Sequence, residues 1–370
     1  MTKLILTSLI ALAFSCDGSA PNASISNADD GSIPSSSDLL IQLGYADYVD
    51  VKDPDSRASG AILRDKELVS PGWNLISVDK QSEALLFDQN GKLINRWHAE
   101  AEHWGVCELL PNGDLIVPEL TEDSKAILRR MNWQGETIWI TEGGKDGRDD
   151  LVVHHDVEVR PDGLVSTLSR TSRTDIAVDD ELPFGDEHVA LVDPKNGSLI
   201  EQRSFYDMWL NADTPLPWLE KRWKDLPRGG GRIDLFHSNS VEWMWRPKLS
   251  ELNPIFSQGN VLVSFRHQAC IAIFDWEEER MIWNWGRGEL SGAHDATVLS
   301  NGNILVFDNG INRKWSRVVE LDPLKREIVW QYQGTSEGDL WSRTRGSSQR
   351  IEGSLLNALR AGPAAEFADH

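Results

Sequence analysis

Two short patterns alternate along most of the chain, and this alternation limits the fold more than any single residue does. The first is a tight turn leading into an apolar strand: SPGWNLISV (70–78), LPNGDLIVP (110–118), RPDGLVSTL (160–168), SQGNVLVSF (257–265) and LSNGNILVF (299–307). The second is a strand, a polar turn and a strand that often carries Trp. It runs LLFDQNGKLINRW (85–97), RRMNWQGETIWI (129–140), ALVDPKNGSLIEQR (190–203), AIFDWEEERMIWNW (272–285) and VELDPLKREIVWQY (319–332). One copy of each makes a unit of four short antiparallel strands. Five such units are visible. A weaker sixth begins at SSQRIEGSLLNAL (347–359), its missing strand expected from about residues 57–64. No helical period separates the units. The pattern predicts an all-β chain folded as a six-bladed β-propeller. Sixteen Trp stand against four Tyr, and the Trp after each second turn is expected to pack between neighbouring blades.

The spacing stretches once, at about residues 204–256, which hold Trp209, Trp218, Trp223, Trp243, Trp245 and RGGGR (228–232). This reads as an insertion on the propeller rim. Aromatic residues there could grip a flat ligand, but each Trp singly is expected to pack the insertion onto its own blade.

A formal charge of −21 over 370 residues argues against a nucleic-acid partner and against an anionic membrane surface, both of which need a basic face. It leaves room for a small anion, because a local Arg/His cluster can reverse the field inside a pocket. The N-terminus reads as an export signal: Lys3, then an apolar run from Leu4 to Phe14, too short for a permanent span. Ser15-Cys16 follows, so residues 1–16 resemble a lipoprotein signal with Cys16 as the anchored residue. The alternative is a cleaved secretory signal. Either way the chain is expected outside the cytoplasm, periplasmic or lipid-anchored to a membrane that faces the periplasm. Residues 17–56 read as a flexible polar linker and 57–370 as the propeller. Cys107 and Cys270, far apart, predict two small buried side chains and no disulfide framework.

The histidines fall in register with the repeat. His155 precedes VEVRP, His237 precedes SNSVEW and His294 precedes ATVLS. Each stands at the start of the first strand of a unit. Arg266 follows NVLVSF, a strand running the other way, so its end meets the same mouth. Three His and one Arg are therefore expected to converge on one axial funnel. Arg offers a planar charged fork for sulfate or phosphate. A neutral His can be a nucleophile, and another can move a proton to or from a phenol oxygen. Three His could also bind zinc, but the adjacent Arg argues against a cation; neither a metal nor a cofactor is expected. His154 and His267 adjoin the set, but alternation along a strand predicts that one of each adjacent pair points away. His98, His103 and His188 read as surface or packing residues, and the acidic run 175–188 as a solvated loop.

HHDVEVRPDG (154–163), HSNSVEW (237–243), NVLVSFRHQACIAIFD (260–275) and AHDATVLSNGNILVFDNG (293–310) resemble, in order, segments of the bacterial arylsulfate sulfotransferase family. The resemblance covers about residues 70–360. It implies a six-bladed propeller with an axial site, in an exported enzyme that passes a sulfuryl group from an aryl sulfate donor to a phenolic acceptor without a nucleotide. By position His294 matches the transiently sulfated His. Arg266 and His237 match the site for the sulfuryl oxygens, and His155, with its neighbour His154 as the alternative, matches the His that serves the phenolic oxygen. WGRGELSGAH (285–294) has no Cys where some members carry a disulfide, and the β-domain in front of the propeller is largely missing. These departures leave donor specificity and a homodimer open. The competing readings are a non-catalytic propeller that binds a ligand or partner, and a quinone-dependent dehydrogenase, for which neither an adjacent Cys pair nor a convincing calcium cluster is present.

Overall fold

The structure, a computed structural model, describes residues 6–11, 72–78, 81–144, 151–213, 215–217, 232–333, 340–350 and 357–361. Apolar strands joined by tight polar turns make antiparallel sheets that repeat along the chain. Blade 3 comprises Val152–Val159, Val165–Arg173, Phe184–Val192 and Leu199–Ser204. Blade 4 comprises Ser238–Trp243, Val261–Phe265, Cys270–Asp275 and Arg280–Trp285. Blade 5 comprises His294–Val298, Ile304–Asp308, Arg317–Asp322 and Glu327–Gln333. In blade 2 two short segments, His103–Trp104 and Glu108–Leu109, both pair with Leu115–Leu120, followed by Ala126–Met131 and Thr137–Ile140.

Blade 1 is built differently. Trp73–Val78, Glu83–Asp88 and Leu93–His98 are antiparallel, but its fourth strand is Leu6–Ala11, paired parallel to Trp73–Val78. That segment lies inside the apolar run expected to serve as an export signal.

The fold is thus an all-β propeller with five blades among the described residues, not six. Where the sixth was expected, Gly346–Arg350 and Asn357–Ala361 form a two-stranded sheet. The strand expected near residues 57–64 lies outside the described residues. The insertion expected at 204–256 also needs correction. Ser238–Trp243 is the innermost strand of blade 4, so the extra segment ends before it. It starts with the helix Phe205–Leu210, capped by Ser204 Oγ accepting from the Asp207 N–H at 3.1 Å. The helix buries Phe205, Tyr206, Met208 and Trp209 against blades 3 and 4. Trp209 therefore packs the segment onto the propeller; Trp218, Trp223 and the RGGGR run lie outside the described residues.

The Trp repeat joins blades. Trp97 Nε1 donates to Asn132 O (2.9 Å), Trp139 Nε1 to Pro194 O (2.8 Å) and Trp283 Nε1 to Pro323 O (3.1 Å). Each indole reaches from an outermost strand to the outer turn of the next blade. Blade 3 substitutes Arg203, stacked 4.2 Å from the Trp276 ring.

A second set of contacts joins the innermost strands. The inner edge of a blade exposes N–H groups that need acceptors. Carboxylates supply them. Asp156 accepts from Val241 N (2.8 Å), Glu158 from Trp243 N (3.0 Å) and Glu242 from Val298 N (2.6 Å). Asp295 accepts from Ser348 N (2.8 Å) and Glu187 from Ser238 N (2.6 Å). Burial pushes Glu187 and Glu242 up to about 7, Asp156 to about 8 and Glu158 well above the usual carboxylate range. Glu108, likewise buried, rises to about 7.

These shifts set a pH dependence. A carboxyl whose pKa folding raises keeps its proton in the folded chain after the unfolded chain has lost it. Its stabilisation is complete below the unfolded value and is lost as pH rises through the folded value. Buried histidines oppose this only below their unfolded value, near 6.5. Between about pH 6.5 and 8.5 the carboxyls therefore act alone, and the melting temperature should fall as pH rises. The slope is about 1.4 kcal/mol per pH unit for each proton released. Thermal melts across that range should show the fall, with a shallower slope for Glu242→Gln. A flat or rising profile would contradict the assignment.

Candidate active site

Backbone irregularity creates the site. In blade 3, His154 pairs with Leu168 but Val157 pairs with Thr167, so His155 and Asp156 are extruded from the ladder. His155 has φ +58°. In blade 4 the register slips between Ser238 and Ser240, and His237 just before it has φ +50°. In blade 5 it slips between His294 and Thr297, with Asp295 at φ +51°. Such bulges re-aim side chains at a sheet's rim, and here three of them occur in one position of consecutive blades.

The expected convergence of the four residues is what these irregularities produce. The His155 and His237 rings lie 5.1 Å apart. The backbone N–H of Arg266 donates to His237 O (3.2 Å), and His267 N to Phe236 O (3.0 Å), so the hairpin turn carrying Arg266 is tied to the segment carrying His237. His294 is close enough for the charge of Arg266 to act on it.

The structure corrects the expectation for the neighbouring histidines. The His154 and His155 rings are edge-on at 5.1 Å, with their Nδ1 atoms 2.9 Å apart. His267 lies 4.6 Å from His237. Alternation fails because His155 is in a bulge and His267 is in a turn; neither pair sits on regular strand. The reading of 175–188 as a solvated loop fails at its end: Phe184–Val192 is a fully buried strand, and Asp186, Glu187 and His188 are inside. Cys107 and Cys270 are both buried, as expected.

His294 is 7% exposed. Its Nδ1 lies 2.9 Å from Gly292 O and 2.7 Å from Asn309 Oδ1. The Asn309 amide nitrogen donates to Ser342 O (2.9 Å) and Arg345 O (2.8 Å), which turns its oxygen towards His294. Both partners of Nδ1 are acceptors, so Nδ1 carries the proton and Nε2 keeps its lone pair. Burial, then the charge of Arg266, pushes this His down to about 3. Both effects favour the neutral ring. Gly292, at φ +81°, holds a backbone conformation that strains any other residue, and a Cβ there would also push Ile311 Cδ1, 2.4 Å away, aside.

Asp234 is the organiser that the sequence reading missed. Its Oδ2 accepts from His237 Nδ1 at 2.6 Å, and its backbone O from His267 Nδ1 at 2.8 Å. His267 Nε2 in turn faces Arg266 Nη1 at 3.3 Å. Burial alone would raise Asp234, but His237 and His267 outweigh it and hold the carboxyl well below the usual range. Burial pushes His267 down to about 4 and His155 and His154 well below the ordinary histidine value. The spacing of Asp234 and His237, three residues apart, was the one available signal. Asn309 lay within the FDNG run already quoted, without a role.

With this geometry in view, comparison with known proteins places the chain. The Arylsulfotransferase (ASST) family profile matches residues 107–369. The chain belongs to the arylsulfotransferase family. A search of curated proteins returned no match. Among solved structures, one similar chain is a protein of unknown function from Bacteroides caccae, at 14% identity and TM-score 0.42, over 72% of this chain and 84% of that one. Another is the periplasmic gluconolactonase PpgL of Pseudomonas aeruginosa, at 12% identity and TM-score 0.41, over 75% of this chain and 69% of that one. Likeness at this level carries no argument about activity. Family membership makes the chain a sulfotransferase-type protein, and the family implies aryl sulfate donors and phenolic acceptors.

Proposed function

We propose that the protein moves a sulfuryl group from an aryl sulfate to a phenol through a sulfo-histidine at His294, without a nucleotide donor. The observation that carries this reading is the locked tautomer of His294. Nδ1–H is held by Gly292 O and Asn309 Oδ1, so Nε2 holds a lone pair beside a guanidinium. In the first step Nε2 attacks sulfur and the bond from sulfur to the aryl oxygen breaks. The electron pair leaves on that oxygen as phenolate. Arg266 and His237 balance the charge on the sulfuryl oxygens. The Nδ1–H bonds stabilise the cationic ring that forms. In the second step a phenol oxygen attacks sulfur, the S–N bond breaks, and its pair returns to Nε2. His155, kept neutral by burial, takes the acceptor's proton as negative charge accumulates nearby and raises its basicity, and passes that proton to the departed phenolate or to solvent.

Release of 4-nitrophenol from 4-nitrophenyl sulfate, measured with and without phenol, tests the reading. Acceptor-dependent release supports it. No release across several aryl sulfates and phenols would leave a binding propeller instead. Asn309→Leu should leave Nδ1 with Gly292 O alone, weaken the hold on the tautomer and ring orientation, and lower kcat by about 10- to 100-fold. Equal kcat in that variant would remove Asn309 from the mechanism.

Export is part of the proposal, supported by Lys3, the apolar run to Phe14, and Cys16. It is tested by the mass of the mature N-terminus. A chain processed at Cys16 would lack Leu6–Ala11 as a blade strand; an unprocessed chain would retain that strand.

A further inference from the structure

Asp234 brings two imidazoles together in a way that sulfuryl transfer does not need. Its Oδ2 is 2.6 Å from His237 Nδ1 and 3.6 Å from His267 Nδ1. The ligand atoms of the three residues all lie within 4.8 Å of one another. The two rings are only 4.6 Å apart and inclined by 38°. All three residues sit on one clamp, because the backbone N–H groups of Arg266 and His267 bond to His237 O and Phe236 O.

We propose that Asp234, His237 and His267 form a binding site for a divalent transition metal of the zinc class, and that this metal competes with the sulfate ester. Two imidazoles and one carboxylate with an open fourth position make a donor set that zinc uses. Calcium and magnesium, which take oxygen ligands, are excluded by the same set. Zinc bonds of about 2.0–2.2 Å put neighbouring donors about 3–3.5 Å apart, so the three side chains need only small rotations to close on an ion. The charge of Arg266 opposes a cation, but it acts from the far side of the His267 ring and is set against the Asp234 carboxylate on the near side. Its Nη1 lies at 3.3 Å from His267 Nε2, the ring atom on the far side from Nδ1.

The competition follows from proton placement. In the metal-free protein His267 Nδ1–H donates to Asp234 O and Nε2 accepts from Arg266. A metal on Nδ1 moves that proton to Nε2. Nε2–H and the guanidinium are then both donors, and that hydrogen bond is lost. His237 Nδ1 gives up its hydrogen bond to Asp234 for the ion at the same time, which re-aims the ring. The anion site and the metal site share residues and cannot both be filled. This competition rests on the sulfotransferase reading; metal binding itself does not.

Cobalt(II) titrated into the metal-stripped full chain provides a readout independent of turnover. The intense visible absorption of four- or five-coordinate Co²⁺ should appear with one equivalent and disappear when Zn²⁺ is added. His267→Asn should weaken binding by at least about 100-fold, with an unfolding midpoint close to wild type. Asp234→Asn should do the same. No such absorption, or the same absorption in both variants, would overturn the site. In the second arm, Zn²⁺ should raise KM for 4-nitrophenyl sulfate while leaving kcat unchanged, reversed by EDTA. Cobalt binding without inhibition would overturn the competition alone. A chain that binds cobalt at these residues but turns over no aryl sulfate would leave the site standing and remove the sulfotransferase reading.

Discussion

His294→Asn is expected to lower turnover of 4-nitrophenyl sulfate by at least about 10⁴-fold, the scale seen when a nucleophile is removed. No other group takes its place. His155 belongs to a pair whose Nδ1 atoms are 2.9 Å apart, and His237, held through Nδ1 by Asp234, is assigned to the sulfuryl oxygens. The fold should survive the change. Asn is smaller than His but keeps a donor for Gly292 O and Asn309 Oδ1, the two acceptors that hold the ring. The melting temperature should therefore stay within a few degrees of wild type. Steady-state release of nitrophenol, measured beside a thermal melt, checks both parts. A folded variant that retains more than about a hundredth of the wild-type rate would assign the nucleophile elsewhere.

The second large effect is expected at Arg266. Arg266→Lys retains the charge and removes the planar fork. It also removes the guanidinium hydrogen bond to His267 Nε2. A sulfuryl group in flight carries charge spread over its oxygens, and losing one aimed donor in such a site costs about 10²–10³ in rate. We expect kcat/KM for the aryl sulfate to fall by that factor, with part of the fall in KM because the ground-state sulfate uses the same fork. A fall of less than about threefold would show that the fork does not touch the sulfuryl oxygens.

The parts of this molecule that were legible in sequence are the parts that repeat. Turn–strand and strand–turn–strand patterns recur because each blade solves the same packing problem, and Trp97, Trp139 and Trp283 recur because each closes the same gap between blades. His155, His237, Arg266 and His294 were visible because they occupy equivalent ends of that repeat. What was not legible depends on local departures from it. The alternation argument misplaced His154 and His267, since a bulge and a turn cancel the two-residue period. Asp234 precedes its strand in an irregular stretch, so no repeat position marks it. The acidic run ending in Asp186, Glu187 and His188 looked solvated by charge alone. Its two last acids are buried because each finds a partner: Asp186 with Arg173 and Ser204, and Glu187 with Ser238 N. The six-blade expectation counted a unit of which only two strands pair among the described residues.

The central claim is that His294 Nε2 carries the sulfuryl group between donor and acceptor. The most direct test is the intact mass of the protein after brief exposure to 4-nitrophenyl sulfate and a rapid alkaline quench, followed by peptide mapping. The account predicts a gain of one sulfuryl group on the peptide containing His294, lost when phenol is added before the quench and absent in His294→Asn. Acceptor-dependent turnover with no mass gain at any time point, or a sulfuryl group on another residue, would contradict it.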